Sequence, residues 1–334
     1  MELQTVATGA TLHVSSDSME VPSGSGHHHH HHHEELKVVA SSAAMHHEIS
    51  SYDNDEEAPL PKLKKLKLED DDDSSFAFQN PTKQCLHRIH NDLTKLYNDP
   101  IEGIFVVPDD NLANRCHALL LGPTGTPYEF GSFYFIMDFP NSYPHEPPKV
   151  TIQTTDLGTV RFNPNIYACG KVCLSILGTW SGPSWTPALT IGSVLLSIQS
   201  LMNATPYHNE PGFESIHVGG RQPRNYNNII RHETIRVAVL GMVELALAQK
   251  LPQKLGELII ETAQATKECC GFLCEEYKGL DGLPFQDPYK RNKGIFQFRR
   301  LQERLEAMGG STSTNTNNEE ESVSMTQTMS MEET

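Results

Sequence analysis

The chain has 334 residues and a formal net charge of −16, long enough for one or two domains. The acid sits at the ends: residues 1–80 carry −10 and residues 310–334 carry −5, so the middle is nearly neutral. Broad phosphate binding needs a basic face; composition offers none, which argues against nucleic acid as a partner. The cysteines number seven, an odd and unevenly spread set. No charged-then-apolar secretory run follows Met1, and no apolar span reaches membrane length. The expectation is a reducing compartment, cytoplasm or nucleus, with no membrane association.

Residues 1–75 read as a disordered low-complexity region, rich in Ser, Gly and acid. His27 to His33 form a histidine run, either a metal-capturing tract or one without a role. Pro61 to Leu68 is a Lys-rich patch that an import receptor could read, or a linker neutralised by the acidic run Glu69 to Asp73. From Thr82 to Tyr97 the spacing of Leu86, Ile89, Leu93 and Leu96 predicts a helix. Pro81 suits its first turn, and Lys83, His87, Arg88 and Lys95 lie on the opposite face. Strands are predicted at Arg115–Leu121, Ser132–Phe139 and Val150–Thr155, separated by Gly, Pro and Asn. Short connections between them imply an antiparallel meander with a helix on one face, an α+β layout.

The chemistry concentrates between Phe162 and Thr190. Cys173 stands eight residues after Asn165, in an irregular segment ahead of an apolar helix pattern at Ala188–Met202. A thiol there can form a thioester, and a side-chain amide can donate to an oxyanion. A lone cysteine is more often a buried structural thiol, so the surrounding residues decide. Cys169 reads as a spectator, and Cys270 with Cys274 share a helical face that suits packing or, with other ligands, zinc. Amphipathic patterns continue at Ile229–Leu245, Leu255–Tyr277 and Ile295–Met308. They form a helical extension over residues 215–309, expected to pack on the preceding domain or on itself. Residues 310–334 read as a disordered acidic tail.

Phe162-Asn163-Pro164-Asn165, Cys173 and Trp185-Thr186-Pro187 resemble the active site of ubiquitin-conjugating enzymes, whose pattern is His-Pro-Asn, a cysteine eight residues on, then Trp-Ser-Pro opening a helix. Gly122-Pro123, Thr126-Pro127-Tyr128-Glu129, Phe139-Pro140, Tyr143-Pro144 and Pro147-Pro148 match in the same order. The resemblance covers Pro81 to Phe213, and with it the catalytic core is drawn at 81–214. It implies the ubiquitin-conjugating fold, an antiparallel four-strand meander packed on helices; the fourth strand is expected around Val160–Phe162. It also implies that Cys173 accepts ubiquitin as a thioester from an activating enzyme and passes it to a lysine or to a ligase. Asn165 would serve the oxyanion. No bound cofactor or metal is implied, since ATP is consumed by the activating enzyme.

Several positions depart from the family pattern. Asn163 stands for the histidine, Ser175 lacks the acid some relatives carry, and His208 with Asn209 fall at the acidic gate. His208 could accept from an incoming lysine or be a loop residue. The stretch from Cys173 to Trp185 is longer than in small relatives and forms a reshaped lip. By resemblance Lys83, Arg88 and Lys95 would meet the activating enzyme, and His145, Pro187 and Ala188 the ligase. The large members of the family further imply loading by the second, non-conventional activating enzyme, with a ubiquitin-like modifier as a second cargo. A monomer is expected, although the sequence itself leaves oligomeric state open. Two rival readings are a ubiquitin-gripping module without chemistry and a metal-binding regulator.

Overall fold

A computed structural model describes residues 81–290 and 292–308. The low-complexity region, the histidine run, the Lys-rich patch and the acidic tail lie outside the described residues.

Helix α1, Lys83–Asn98, starts where the Thr82 hydroxyl accepts the Cys85 N–H, and it turns Cys85, Ile89 and Leu93 inward. Capping of this kind satisfies a donor that the first helical turn leaves open. Strands β1 (Ile104–Pro108), β2 (Arg115–Leu121), β3 (Ser132–Asp138) and β4 (Lys149–Ile152) follow as one antiparallel sheet in sequence order. Leu119 pairs with Phe105 on one side and Tyr134 on the other. The meander has four strands, but they are not the four expected. The first is Ile104–Pro108, and Val160–Phe162 forms no strand. There the Asn292 side chain takes both backbone groups of Arg161, its Oδ1 accepting the N–H at 2.8 Å and its Nδ2 donating to the carbonyl at 2.7 Å. A strand neighbour has nothing left to bond.

Helix α2, Ile191–Leu201, opens with a capping box between Thr190 and Ser193. That box sets the start three residues beyond Ala188, because the cap residue must stay extended. The extension comprises α3 (Arg221–Glu233), a π-helical segment (Thr234–Gly241), α4 (Met242–Leu247), α5 (Gln253–Tyr277), a hairpin of β5 (Pro284–Gln286) and β6 (Lys293–Ile295), and α6 (Phe298–Ala307). The expected helix Ile229–Leu245 is thus three pieces of differing pitch. In its π segment Ile235, Val237, Ala238, Val239 and Leu240 are all buried. A one-sided stripe does not describe it, since this segment meets packing on several sides. The last helix begins at Phe298 because Lys293–Ile295 are spent on the hairpin.

The sheet is covered on both faces. Cys116, Ala118 and Leu120 of β2 face α1 and α2, while Leu119 and Tyr134 join Ile235, Ile259 and Phe298 of the extension. Gly131 permits the close approach: a Cβ there would come within 2.7 Å of the Thr234 methyl and the Phe133 ring. Each fully buried Leu or Phe in such a layer contributes about 1.5–3 kcal/mol.

Candidate active site

After β4 the chain turns through irregular structure held by isolated bridges, Asn163 to Ile166 and Ile166 to Val172. Three of the residues named from sequence meet here. The Cys173 N–H donates to the Asn165 carbonyl at 2.8 Å, and the Asn165 side-chain Nδ2 donates to the Cys173 carbonyl at 3.1 Å. These reciprocal bonds lock nucleophile and amide side by side. The Asn165 nitrogen carries a second N–H, the donor an oxyanion beside Cys173 would use. Cys173 is only 2 % exposed.

Asn163 is the hub beneath them and is completely buried. Its Oδ1 accepts the Asn165 N–H at 2.9 Å. Its Nδ2 donates to the Tyr128 hydroxyl and to the Leu201 carbonyl, each at 2.8 Å. The Tyr128 hydroxyl in turn donates to the Phe162 carbonyl at 2.8 Å. An amide thus performs the bridging that the family assigns to histidine, with every donor of the side chain satisfied. Asn209 belongs to the same network, donating to Leu201 O at 2.9 Å and accepting from Asn203 at 3.0 Å.

His208 is committed elsewhere. Its Nε2 lies 2.8 Å from the Ile216 carbonyl and its Nδ1 3.3 Å from that of Thr205. A carbonyl only accepts, so Nε2 carries the proton. The ring ties the 205–216 loop together, and this geometry favours the loop role over the lysine-accepting one. Ser175 opens a 3-10 turn, Ser175–Leu177. The lip folds back over it: a Cβ on Gly182 would sit 3.0 Å from the Ser175 Cβ, and Gly182 has φ +135°. A substitution there is therefore strained as well as crowded.

Four of the six residues expected to meet partners fall into one groove. Arg88, Lys95, Pro187 and Ala188 line an open cavity of about 490 Å³ with Asn91 and Thr94. Arg88 is not a free charge within it. Its three nitrogens bond Asp92 (2.8 Å), the Pro187 carbonyl (2.7 Å) and the Leu189 carbonyl (2.6 Å). It fastens α1 to the loop that was expected to meet the ligase. Lys83 is exposed at the start of α1 and His145 on the neighbouring loop, and neither lines the groove. Trp185 joins the two loops, its indole N–H donating to the Pro144 carbonyl at 2.7 Å.

Three residues near the cysteine carry no sequence signal of their own. Thr179 braces the segment, its hydroxyl meeting the Val172 carbonyl at 2.6 Å and the Leu174 N–H at 3.0 Å. Tyr167 lies beside Cys173; burial first, then the interaction with that thiol, pushes the phenol above its ordinary range. The Arg161 guanidinium lies over the Tyr167 ring at 4.2 Å. Only the cysteine spacing pointed to the place, since partners brought in by folding leave no local period. Cys270 and Cys274 are buried and pushed up to about 12 by that burial, so both stay as neutral packing thiols. Among the described residues no cluster of three or more His, Cys, Asp or Glu could hold a metal.

A family model described as "Ubiquitin-conjugating enzyme" matches residues 88–234, running through α3. Ubiquitin-conjugating enzyme E2 Z of Danio rerio is 46 % identical over 230 residues, 69 % of this chain and 69 % of that protein. Its counterpart in Xenopus tropicalis is 45 % identical over 230 residues, 69 % of this chain and 72 % of that protein. A dual E2 ubiquitin-conjugating enzyme/E3 ubiquitin-protein ligase, human BIRC6, is 43 % identical over 149 residues, 42 % of this chain but 3 % of its own length. Together with the four-strand sheet, the packed helices and the locked cysteine–asparagine pair, these matches show that the chain belongs to the ubiquitin-conjugating enzymes, transferases that carry ubiquitin as a cysteine thioester.

Proposed function

We propose that Cys173 is the cysteine that carries ubiquitin, and that Asn165 stabilises the oxyanion when the thioester is formed and when it is broken. The observation that carries this reading is the pair of reciprocal bonds between Cys173 and Asn165. In loading, the Cys173 sulfur attacks the carbonyl of the thioester on the activating enzyme, and that enzyme's thiolate leaves. In transfer, a neutral lysine amine or a ligase thiolate attacks the new thioester, the C–S bond breaks and Cys173 departs. Both steps pass through a tetrahedral oxyanion, for which one lost donor typically costs about 10²–10³ in rate. The low exposure of Cys173 supports shielding of the thioester from water. Asn163 and Asn209 hold the turn, Ser175 lies under the lip, and His208 closes the loop beyond.

The activating enzyme is the second, non-conventional one; it and the ligase dock on the groove that Lys95, Arg88, Pro187 and Ala188 share, with Lys83 and His145 at its margins. This specificity is supported by the similarity to the E2 Z proteins and by the reshaped lip. A ubiquitin-like modifier is a second cargo. The protein acts as a monomer in cytoplasm and nucleus, on protein substrates, and binds no cofactor itself.

The test is thioester loading with ATP, ubiquitin and each of the two activating enzymes in turn, read on a gel without reducing agent. A thiol-sensitive adduct formed by the wild type, absent in Cys173→Ala, is the expected result. In Asn165→Ala the adduct forms and discharges about 10²–10³ more slowly. An adduct that survives in Cys173→Ala removes the reading, and loading by the conventional activator alone removes its specificity.

A further inference from the structure

The extension reaches the active site from the far end of the chain. Its hairpin of β5 and β6 closes through a turn in which the Asp287 N–H donates to the Asn292 carbonyl at 2.8 Å and the Asn292 N–H donates to Asp287 Oδ2 at 3.0 Å. Asn292 is 3 % exposed, and its side chain is the two-bond clamp on the Arg161 backbone. The Arg161 guanidinium also lies over the ring of Tyr289, in the same turn, at 4.5 Å. One cation therefore meets both a ring of the extension and a ring beside the nucleophile. The guanidinium edge is also used: Nε donates to the Asn163 carbonyl at 3.2 Å and Nη2 to the Pro164 carbonyl. Those two carbonyls belong to the turn that carries Asn165.

We propose that Tyr289 and Asn292 are positioning residues for the transfer reaction: by holding Arg161 they fix the Asn163–Asn165 turn and the Tyr167 ring beside Cys173. The inference rests on Cys173 being the nucleophile. Tyr167 lies beside Cys173, and in this proposal its hydroxyl donates to the sulfur as negative charge gathers there during C–S cleavage. The hairpin does not hold the turn in existence. The Asn163 side chain is bonded to Tyr128 and Leu201, both outside the extension. What the hairpin adds is orientation, to which rates of this kind are steeply sensitive. A planar guanidinium suits contact with two rings while its edge makes hydrogen bonds; an ammonium does not.

The experiment uses the full chain, loaded with ubiquitin and then discharged to free lysine in a single turnover at varied lysine concentration. Tyr289→Ala is expected to lower the maximal rate about tenfold with the apparent KM for lysine unchanged. Tyr289→Phe is expected to restore it, because the Tyr289 hydroxyl has no hydrogen-bond partner. Tyr167→Phe is expected to give a similar loss, and the double variant with Tyr289→Ala no further one. Arg161→Lys reads the same dependence if Tyr289→Ala does not fold. Discharge of Tyr289→Ala at the wild-type maximum overturns the proposal, as do losses that multiply in the double variant or that follow the unfolded fraction in a thermal melt. An adduct surviving in Cys173→Ala would instead remove the nucleophile reading beneath it.

Discussion

Around the Asn163 side chain every partner is neutral: Tyr128, Asn165, Asn209 and a backbone carbonyl; the Arg161 cation meets the Asn163 backbone carbonyl instead. At the joint between sheet and extension the buried groups are ionisable. Glu233 is 3 % exposed and bonds His232 at 2.9 Å and Arg236 Nε at 2.9 Å, while Arg236 reaches Asp156 at 2.8 Å. A hub of amides keeps one geometry at any pH. A joint of ions holds two layers strongly, but only while it stays charged, because the low-dielectric interior magnifies both the attraction and the cost of a missing partner. Within the hub of side-chain amides the protein uses shape, and at the structural seam it uses charge.

The sharpest way to break this contrast is to put an ion into the hub. Asn163→Asp keeps the size but turns a donor into an acceptor facing the Leu201 carbonyl. It should cost about 4 kcal/mol at neutral pH, the scale of an uncompensated buried charge. Burial would raise the new carboxyl's pKa, so the loss grows as pH rises and shrinks in acid. Melting temperatures across pH 4–8 check this, and a loss independent of pH would show that the hub tolerates charge. The reverse experiment is Glu233→Gln, expected to cost about 2 kcal/mol at neutral pH. Burial pushes the Glu233 carboxyl up, but the His232 hydrogen bond and the Arg236 charge outweigh it and hold the group below its ordinary range. A depressed folded-state value gives stability that is complete above the unfolded value, about 4.3, and is lost as pH falls through the lower one. The gap between wild type and variant should therefore close in acid, as it does for Asn163→Asp, but here because the wild type loses stability and not because the variant regains it. The smallest effect is reserved for neither cluster: Phe272, 75 % exposed on α5, should change stability by less than about 0.5 kcal/mol on substitution by Ser.

The sequence was a good guide where function and local structure coincide. Cys173 and Asn165 share one irregular segment, and their spacing survives as a pair of hydrogen bonds. Strand β2 was legible too, though its lesson lay in a missing pattern. Arg115–Leu121 is apolar without alternation, the mark of a strand buried on both faces, and the extension supplies the second cover. Strand β1 escaped because Ile104–Pro108 is short and ends in proline, and Val160–Phe162 looked like a strand because nothing local betrays Asn292. The same limit hid Arg161, Tyr167 and Tyr289. Periodicity reports which face of an element is dry, not which distant side chain meets it. His208 shows the converse: a residue of the right chemistry in the right loop, turned by Ile216 into a fastening.

The clamp of Asn292 on Arg161 joins residues 131 positions apart, and that separation has a consequence in time. At roughly 5–20 residues per second, a ribosome completes Cys173 and its surroundings about ten seconds before it makes the hairpin. The meander and its first helices, with their contacts close in sequence, can fold in that interval. The transferase is thus assembled before it is tuned, and a chain cut short ahead of the hairpin would hold every residue of the thioester chemistry without the last brace that aligns it.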